Sequence, residues 1–155
     1  MNTLWLICDV SGSMLEAGKR LVVRGLVRQV EQYVRLGCAA ETDLKLVAWH
    51  TDATLIPWAP GDEVPPHIFE CRGSADGAAL VRLFSGSRPG NTFVLFTDGF
   101  WSENSRIAIK QWKAEIDPNA LRVIKIGADA NPKLKGADVF ESEAFFAAFD
   151  GWLAQ

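Results

Sequence analysis

Two short apolar runs, each closed by a carboxylate, set the pattern of this chain. Residues 4–8 read LWLIC and run into Asp9, and residues 93–97 read FVLFT and run into Asp98. Unbroken apolar runs of this length mark strands buried on both faces. The pattern predicts strands over residues 3–8, 43–49, 53–58, 93–97, 121–126 and 137–140. Between them, apolar positions recur at helical spacing and predict helices over residues 15–36, 76–84, 103–115 and 143–153. The first helix offers Val22, Leu26, Val30 and Tyr33, with Val23, Val27 and Val34 beside them. Arg20, Arg24, Arg28, Glu31 and Arg35 form its opposite, solvated face. Gly37 suits the position just past its end.

The turn signals refine this picture. His50, Thr51 and Asp52 leave room only for a tight turn, so the second and third strands form an antiparallel hairpin. Pro57 places that hairpin's second strand at an edge. Residues 59–72 are irregular, with room for one helical turn. Ser102 is a natural cap for the helix that follows it. Phe145, Phe146, Phe149 and Trp152 supply the buried face of the closing helix. Strands alternating with helices predict a doubly wound, Rossmann-like α/β sandwich of three layers, mostly parallel, with one antiparallel edge strand. The expectation is a single domain over residues 1–155.

Composition narrows the class. The chain of 155 residues is 48% hydrophobic and 23% charged, as expected of an ordinary globular domain. Its formal charge of −3, with no basic run, argues against nucleic acid as a partner. No apolar run reaches membrane-spanning length, and the first apolar run is too short for a signal peptide. Cys8, Cys38 and Cys71 have no metal-type spacing and read as reduced thiols of a cytoplasmic protein.

The candidate chemistry lies at the strand tips. A strand-to-helix turn in an open α/β sheet sits at the carboxyl edge, where such folds bind ligands. Three loops meet there. One carries Asp9, Ser11 and Ser13 in the stretch DVSGS, the next carries Ser74, and the third carries Asp98 in FTDG. Two carboxylates and three hydroxyls are hard oxygen donors that suit one Mg²⁺ or Mn²⁺ ion better than zinc. Hydroxyls bind such an ion without neutralising it, and a position stays open for an outside oxygen. Phe100 and Trp101 follow Asp98 and predict an aromatic rim.

DVSGS resembles the D-x-S-x-S motif of the von Willebrand factor A (vWA) domain family, and FTDG resembles that family's T-D-G segment. Ser74, in RGSADGAAL, stands where the family usually has threonine. The resemblance covers essentially the whole chain. It implies the sheet order 3-2-1-4-5-6 and a metal-ion-dependent adhesion site (MIDAS) formed by Asp9, Ser11, Ser13, Ser74 and Asp98. It also implies a protein partner whose Asp or Glu completes the shell of the ion. Bacterial family members are often cytosolic adaptors rather than adhesins. The one departure, serine at 74, keeps the hydroxyl but lacks the methyl that stiffens a threonine rotamer.

Two other readings are open. A strand-tip Asp with Mg²⁺ is also found in haloacid-dehalogenase-like phosphatases, but their second carboxylate would fall at Ser11, which leaves no proton-transfer group. A vWA scaffold that binds no metal is the other. The expectation is a non-enzymatic, metal-dependent interaction domain, with neither His50 nor His67 in a catalytic role.

Overall fold

The computed structural model describes residues 2–38, 41–86, 89–149 and 152–153. The side chains of Gly37, Cys38 and His67 lie outside that description, and so do the readings that rest on Cys38 and His67.

Six strands form one sheet: β1 (Asn2–Asp9), β2 (Thr42–Trp49), β3 (Ala53–Ile56), β4 (Asn91–Thr97), β5 (Leu121–Lys125) and β6 (Val139–Glu141). Their order is β3-β2-β1-β4-β5-β6, with only β2–β3 antiparallel, as expected. The helices are α1 (Lys19–Tyr33), α2 (Gly77–Phe84), α3 (Glu103–Glu115) and α4 (Phe145–Phe149).

Alternation along β1 divides the core. Leu4, Leu6 and Cys8 face a cluster that includes Val23, Val27 and Val30 of α1 and Phe145 and Phe149 of α4. Ile7 points the other way, into a cluster with Leu80 of α2 and Ile109 and Trp112 of α3. Both faces of the central strands are therefore covered, which is why their sequences show no polar alternation. The α2 and α3 backbones meet closely at Gly77, where an added Cβ would lie 2.5 Å from the Ser105 carbonyl oxygen.

Several expectations need correction. The first helix does not start at residue 15. Residues Gly12–Gly18 form 3-10 turns broken at Glu16 and Ala17, and α1 begins at Lys19. It does not stop at Gly37 either, because a wider π turn continues through Cys38. Val22 is exposed. Glu31 is buried instead of solvated: its Oε1 accepts from the Gly61 amide at 2.9 Å and from Arg35 at 2.6 Å, and so ties the irregular 59–72 loop to α1. The third strand ends at Ile56, before Pro57. Among the described residues the closing helix covers only Phe145–Phe149, and Phe146 is 70% exposed on it, whereas Phe145, Phe149 and Trp152 are buried. Five helical residues present only one narrow face to the core, and Phe146 falls outside it.

Candidate functional site

β1 leads to β2 on one side, while β4 lies on the other, so the chain reverses direction across the sheet between these two strands. Asp9 ends β1 and Asp98 directly follows β4. The two carboxylates therefore sit at the carboxyl edge of the sheet, at the switch point where open α/β folds bind ligands.

Both are buried. Asp9 Oδ1 accepts from the Ser11 amide at 2.9 Å, and Oδ2 accepts from the Thr97 hydroxyl at 2.6 Å. Burial raises the Asp9 carboxyl to a pKa of about 6, against the bonds from Ser11 and Thr97, and the charge of Asp98 adds to the rise. Asp98 Oδ1 accepts from the Phe100 amide at 3.3 Å. The Ser11 and Ser13 hydroxyl oxygens are 3.5 Å apart. Backbone bonds dock the second loop onto the first: the Gly12 amide donates to the Gly73 carbonyl at 2.9 Å, and the Arg72 amide to the Val10 carbonyl at 2.8 Å. Ser74 thus follows a residue bonded to the Ser11–Ser13 turn, and it is exposed. It is not the helix cap: Asp76 caps α2 by accepting from the Ala78 amide at 3.0 Å.

The donor set fits a small hard cation. Neighbouring ligands of an octahedral Mg²⁺ lie about 3 Å apart, so a small rotation of one serine side chain closes the gap between Ser11 and Ser13. No cluster of three or more His, Cys, Asp or Glu able to hold a metal exists among the described residues, so the oxygens on offer are hydroxyls and the two carboxylates.

The rim aromatics differ. Phe100 is 48% exposed. Trp101 folds back, half-buried: its indole N–H donates to Thr97 Oγ1 at 3.1 Å, and its ring meets Trp49 edge to face at 6.0 Å. This burial takes most of its ring away from the open rim expected for it.

Sequence reasoning missed the cation already in the site. Lys19 is 1% exposed, and its Nζ donates to Asp98 Oδ2 at 3.1 Å, to the Asp129 carboxylate at 3.1 Å and to the Ser13 carbonyl at 3.4 Å. Burial opposes its charge, but the bonds to Asp98 and Asp129 outweigh it and hold the ammonium above its ordinary pKa. The missed signal was Gly18-Lys19, because a charge just after glycine and at the head of an amphipathic helix can turn inward. Asn131 was also missed: its side-chain amide donates to the Gly99 carbonyl at 3.0 Å, and its backbone amide to the Asp98 carbonyl at 2.8 Å. A cavity of about 510 Å³ lined by Asn91, Glu115, Asp117 and Trp152 lies at the opposite end of the sheet and contains none of these groups.

No family model matches the chain, and no curated protein sequence does. Solved structures do resemble it. The manganese-loaded TRAP protein of Plasmodium vivax superposes with a TM-score of 0.65 at 16% identity, over 99% of this chain and 73% of that one. Proximal thread matrix protein 1 of the mussel byssus, in its form with a zinc occupied MIDAS motif, gives 0.60 at 14%, over 99% and 45%. An aerotolerance-related membrane protein of Bacteroides fragilis, carrying multiple mutations to serines, gives 0.56 at 18%, over 82% and 68%. The chain thus spans less than half the length of the mussel protein. At these identities the likeness shows the fold, a Rossmann-like α/β sheet of the vWA type. Among the described residues no helix is long and apolar enough to cross a membrane.

Proposed function

We propose that this chain is a non-enzymatic interaction domain that recognises an acidic residue of a partner protein through one divalent cation. Ser11, Ser13 and Ser74 would hold the ion directly, and Asp9 and Asp98 would balance its charge. The observation that carries this reading is the juxtaposition of the Ser11 and Ser13 hydroxyls, 3.5 Å apart, with two buried carboxylates at the carboxyl edge of the sheet. When bound, Mg²⁺ or Mn²⁺ supplies a charge-dense Lewis acid that hydroxyl ligands leave under-neutralised, and this favours a partner Asp or Glu. The protein's own part is to keep the carboxylates buried and oriented by the Ser11, Thr97 and Phe100 donors. The exposed Phe100 ring adds apolar contact at the rim, with the free edge of Trp101 behind it. The manganese-loaded and zinc-occupied forms of structurally similar proteins support a divalent cation as the ligand. The position two residues beyond Asp9 is Ser11, so the acid/base carboxylate of a phosphatase is missing there. The free, buried thiols of Cys8 and Cys71 support a reducing, cytoplasmic setting.

The test is titration calorimetry of Mg²⁺ and Mn²⁺ into chelator-stripped protein, with Ser13→Ala as the control. Among the described residues the Ser13 hydroxyl bonds only that of Ser11, so its loss spares the fold. Saturable one-site binding, weakened at least tenfold by Ser13→Ala, is the expected result. No heat and no thermal shift at millimolar Mn²⁺ would remove metal-dependent docking from the protein as it stands.

A further inference from the structure

Lys19 stands where a lysine is least expected. It is the first residue of α1, where the helix dipole disfavours a cation, and its side chain is buried. Three features hold it there. Ala17 and Gly18 both adopt left-handed backbone, at φ 53° and φ 70°, and so turn the chain immediately before it. Gly127 clears its path, since an added Cβ at that position would lie 2.7 Å from Lys19 Cε. Asp98 and Asp129 receive its ammonium, and the Phe100 ring covers it at 5.6 Å.

These contacts put a fixed positive charge on one of the two carboxylates that the metal site needs. Asp98 Oδ2 holds the ammonium, and the Ser13 carbonyl, on the residue whose hydroxyl is a candidate ligand, accepts from the same nitrogen. An incoming divalent ion meets that charge at close range, in a buried setting where screening is weak. Asp129 offers a way out, because it is 52% exposed and already touches Nζ.

We infer that Lys19 is a tethered cation of this site: its ammonium holds Asp98 in the metal-free protein, competes with the divalent ion for that carboxylate, and withdraws toward Asp129 when the ion binds. This rests on the metal-site reading above and deepens it. The lysine sets the affinity of the site and balances the charge of the buried Asp98 while the site waits for an ion and a partner.

The experiment has two arms. The first is Mn²⁺ titration calorimetry on the wild-type chain and on Lys19→Met. Competition predicts binding at least tenfold tighter in Lys19→Met, with a larger thermal shift on adding the ion. Wild-type binding with equal or weaker binding in Lys19→Met overturns the inference and leaves the metal site standing. Binding by Lys19→Met alone supports the tethered cation and overturns metal-dependent docking in the native chain. Binding by neither overturns both. The second arm uses the unmutated protein and so survives a misfolded variant: the rate of Lys19 acetylation by an amine-reactive ester, read by mass spectrometry. The rate should rise at least tenfold on saturation with Mn²⁺, and an unchanged rate at saturation would show that the lysine does not withdraw.

Discussion

The Thr97 hydroxyl donates to Asp9 Oδ2 at 2.6 Å, which joins the end of β4 to the end of β1. The same oxygen accepts from the Gly99 amide and from the Trp101 indole, both at 3.1 Å. One donor and two acceptor positions are all a hydroxyl has, and all are used. Thr97→Val keeps the shape and strands three partners in a buried place. It should cost about 2–4 kcal/mol in urea unfolding. Thr97→Ser should recover most of that loss. Equal stability of the valine variant would show that water replaces the hydroxyl.

Much of this arrangement can be read along the chain. The apolar runs ending in Asp9 and Asp98 locate both strand tips, because their buried stretches carry no charged residue until the strands leave the core. The three-residue connection at His50–Asp52 fixes the antiparallel edge. What could not be read depends on backbone signs and long-range partners. The helical pattern from residue 15 hides the break at Ala17, since alanine gives no warning of a positive φ. Lys19 therefore fell inside the expected helix, with nothing to mark its side chain as buried. Glu31 sits at helical spacing with the arginines, and only the Gly61 amide, thirty residues away, explains its burial. Trp101 has two sites to choose between, and the acceptor that draws it inward is a strand hydroxyl.

The raised pKa of Asp9 makes the metal-free site sensitive to pH. The carboxyl moves from its ordinary 3.8 to about 6 in the folded chain. The native state then binds the proton more tightly than the unfolded state does. The resulting penalty is absent below pH 3.8, grows between 3.8 and 6, and is complete above 6. A rise of about two units corresponds to about 3 kcal/mol. A divalent ion prefers the ionised form, so its affinity should fall as pH drops below about 6, by up to about tenfold per unit. Carbon-detected NMR of the Asp9 carboxyl in chelator should show a midpoint near 6, and Mn²⁺ calorimetry at pH 7.5 and pH 5 should show the loss. A midpoint near 4 would mean that Asp9 is better solvated than its burial indicates.

The second loop depends on the junction of α2 with α3. The Ser105 hydroxyl donates to the Ala75 carbonyl and accepts from the Gly77 amide, both at 3.0 Å, so it fixes the backbone just beyond Ser74. Gly77 has no room for a side chain, as its Cβ would press on the Ser105 backbone. Gly77→Ala should cost about 1–3 kcal/mol, as overpacking does. It should also weaken any Mn²⁺ binding, because Ser74 would shift with the loop. Loss of stability with unchanged affinity would show that Ser74 is no ligand.

Ala17 carries the last testable strain. Its φ of 53° is the only positive value at a non-glycine among the described residues, and it occurs in an exposed turn. A left-handed conformation costs an alanine roughly 1–2 kcal/mol, and glycine reaches it freely. Glycine also adds entropy to the unfolded chain, which offsets up to about 1 kcal/mol of that gain. Ala17→Gly should therefore be neutral to stabilising by about 1 kcal/mol, where alanine to glycine in a helix interior would destabilise by a similar amount. The sign of the change in thermal midpoint thus reports the backbone at this residue directly. A clear drop would mean that residues 15–18 are ordinary helix. Lys19 would then rotate away from Asp98, and the tethered cation would lose the turn that aims it.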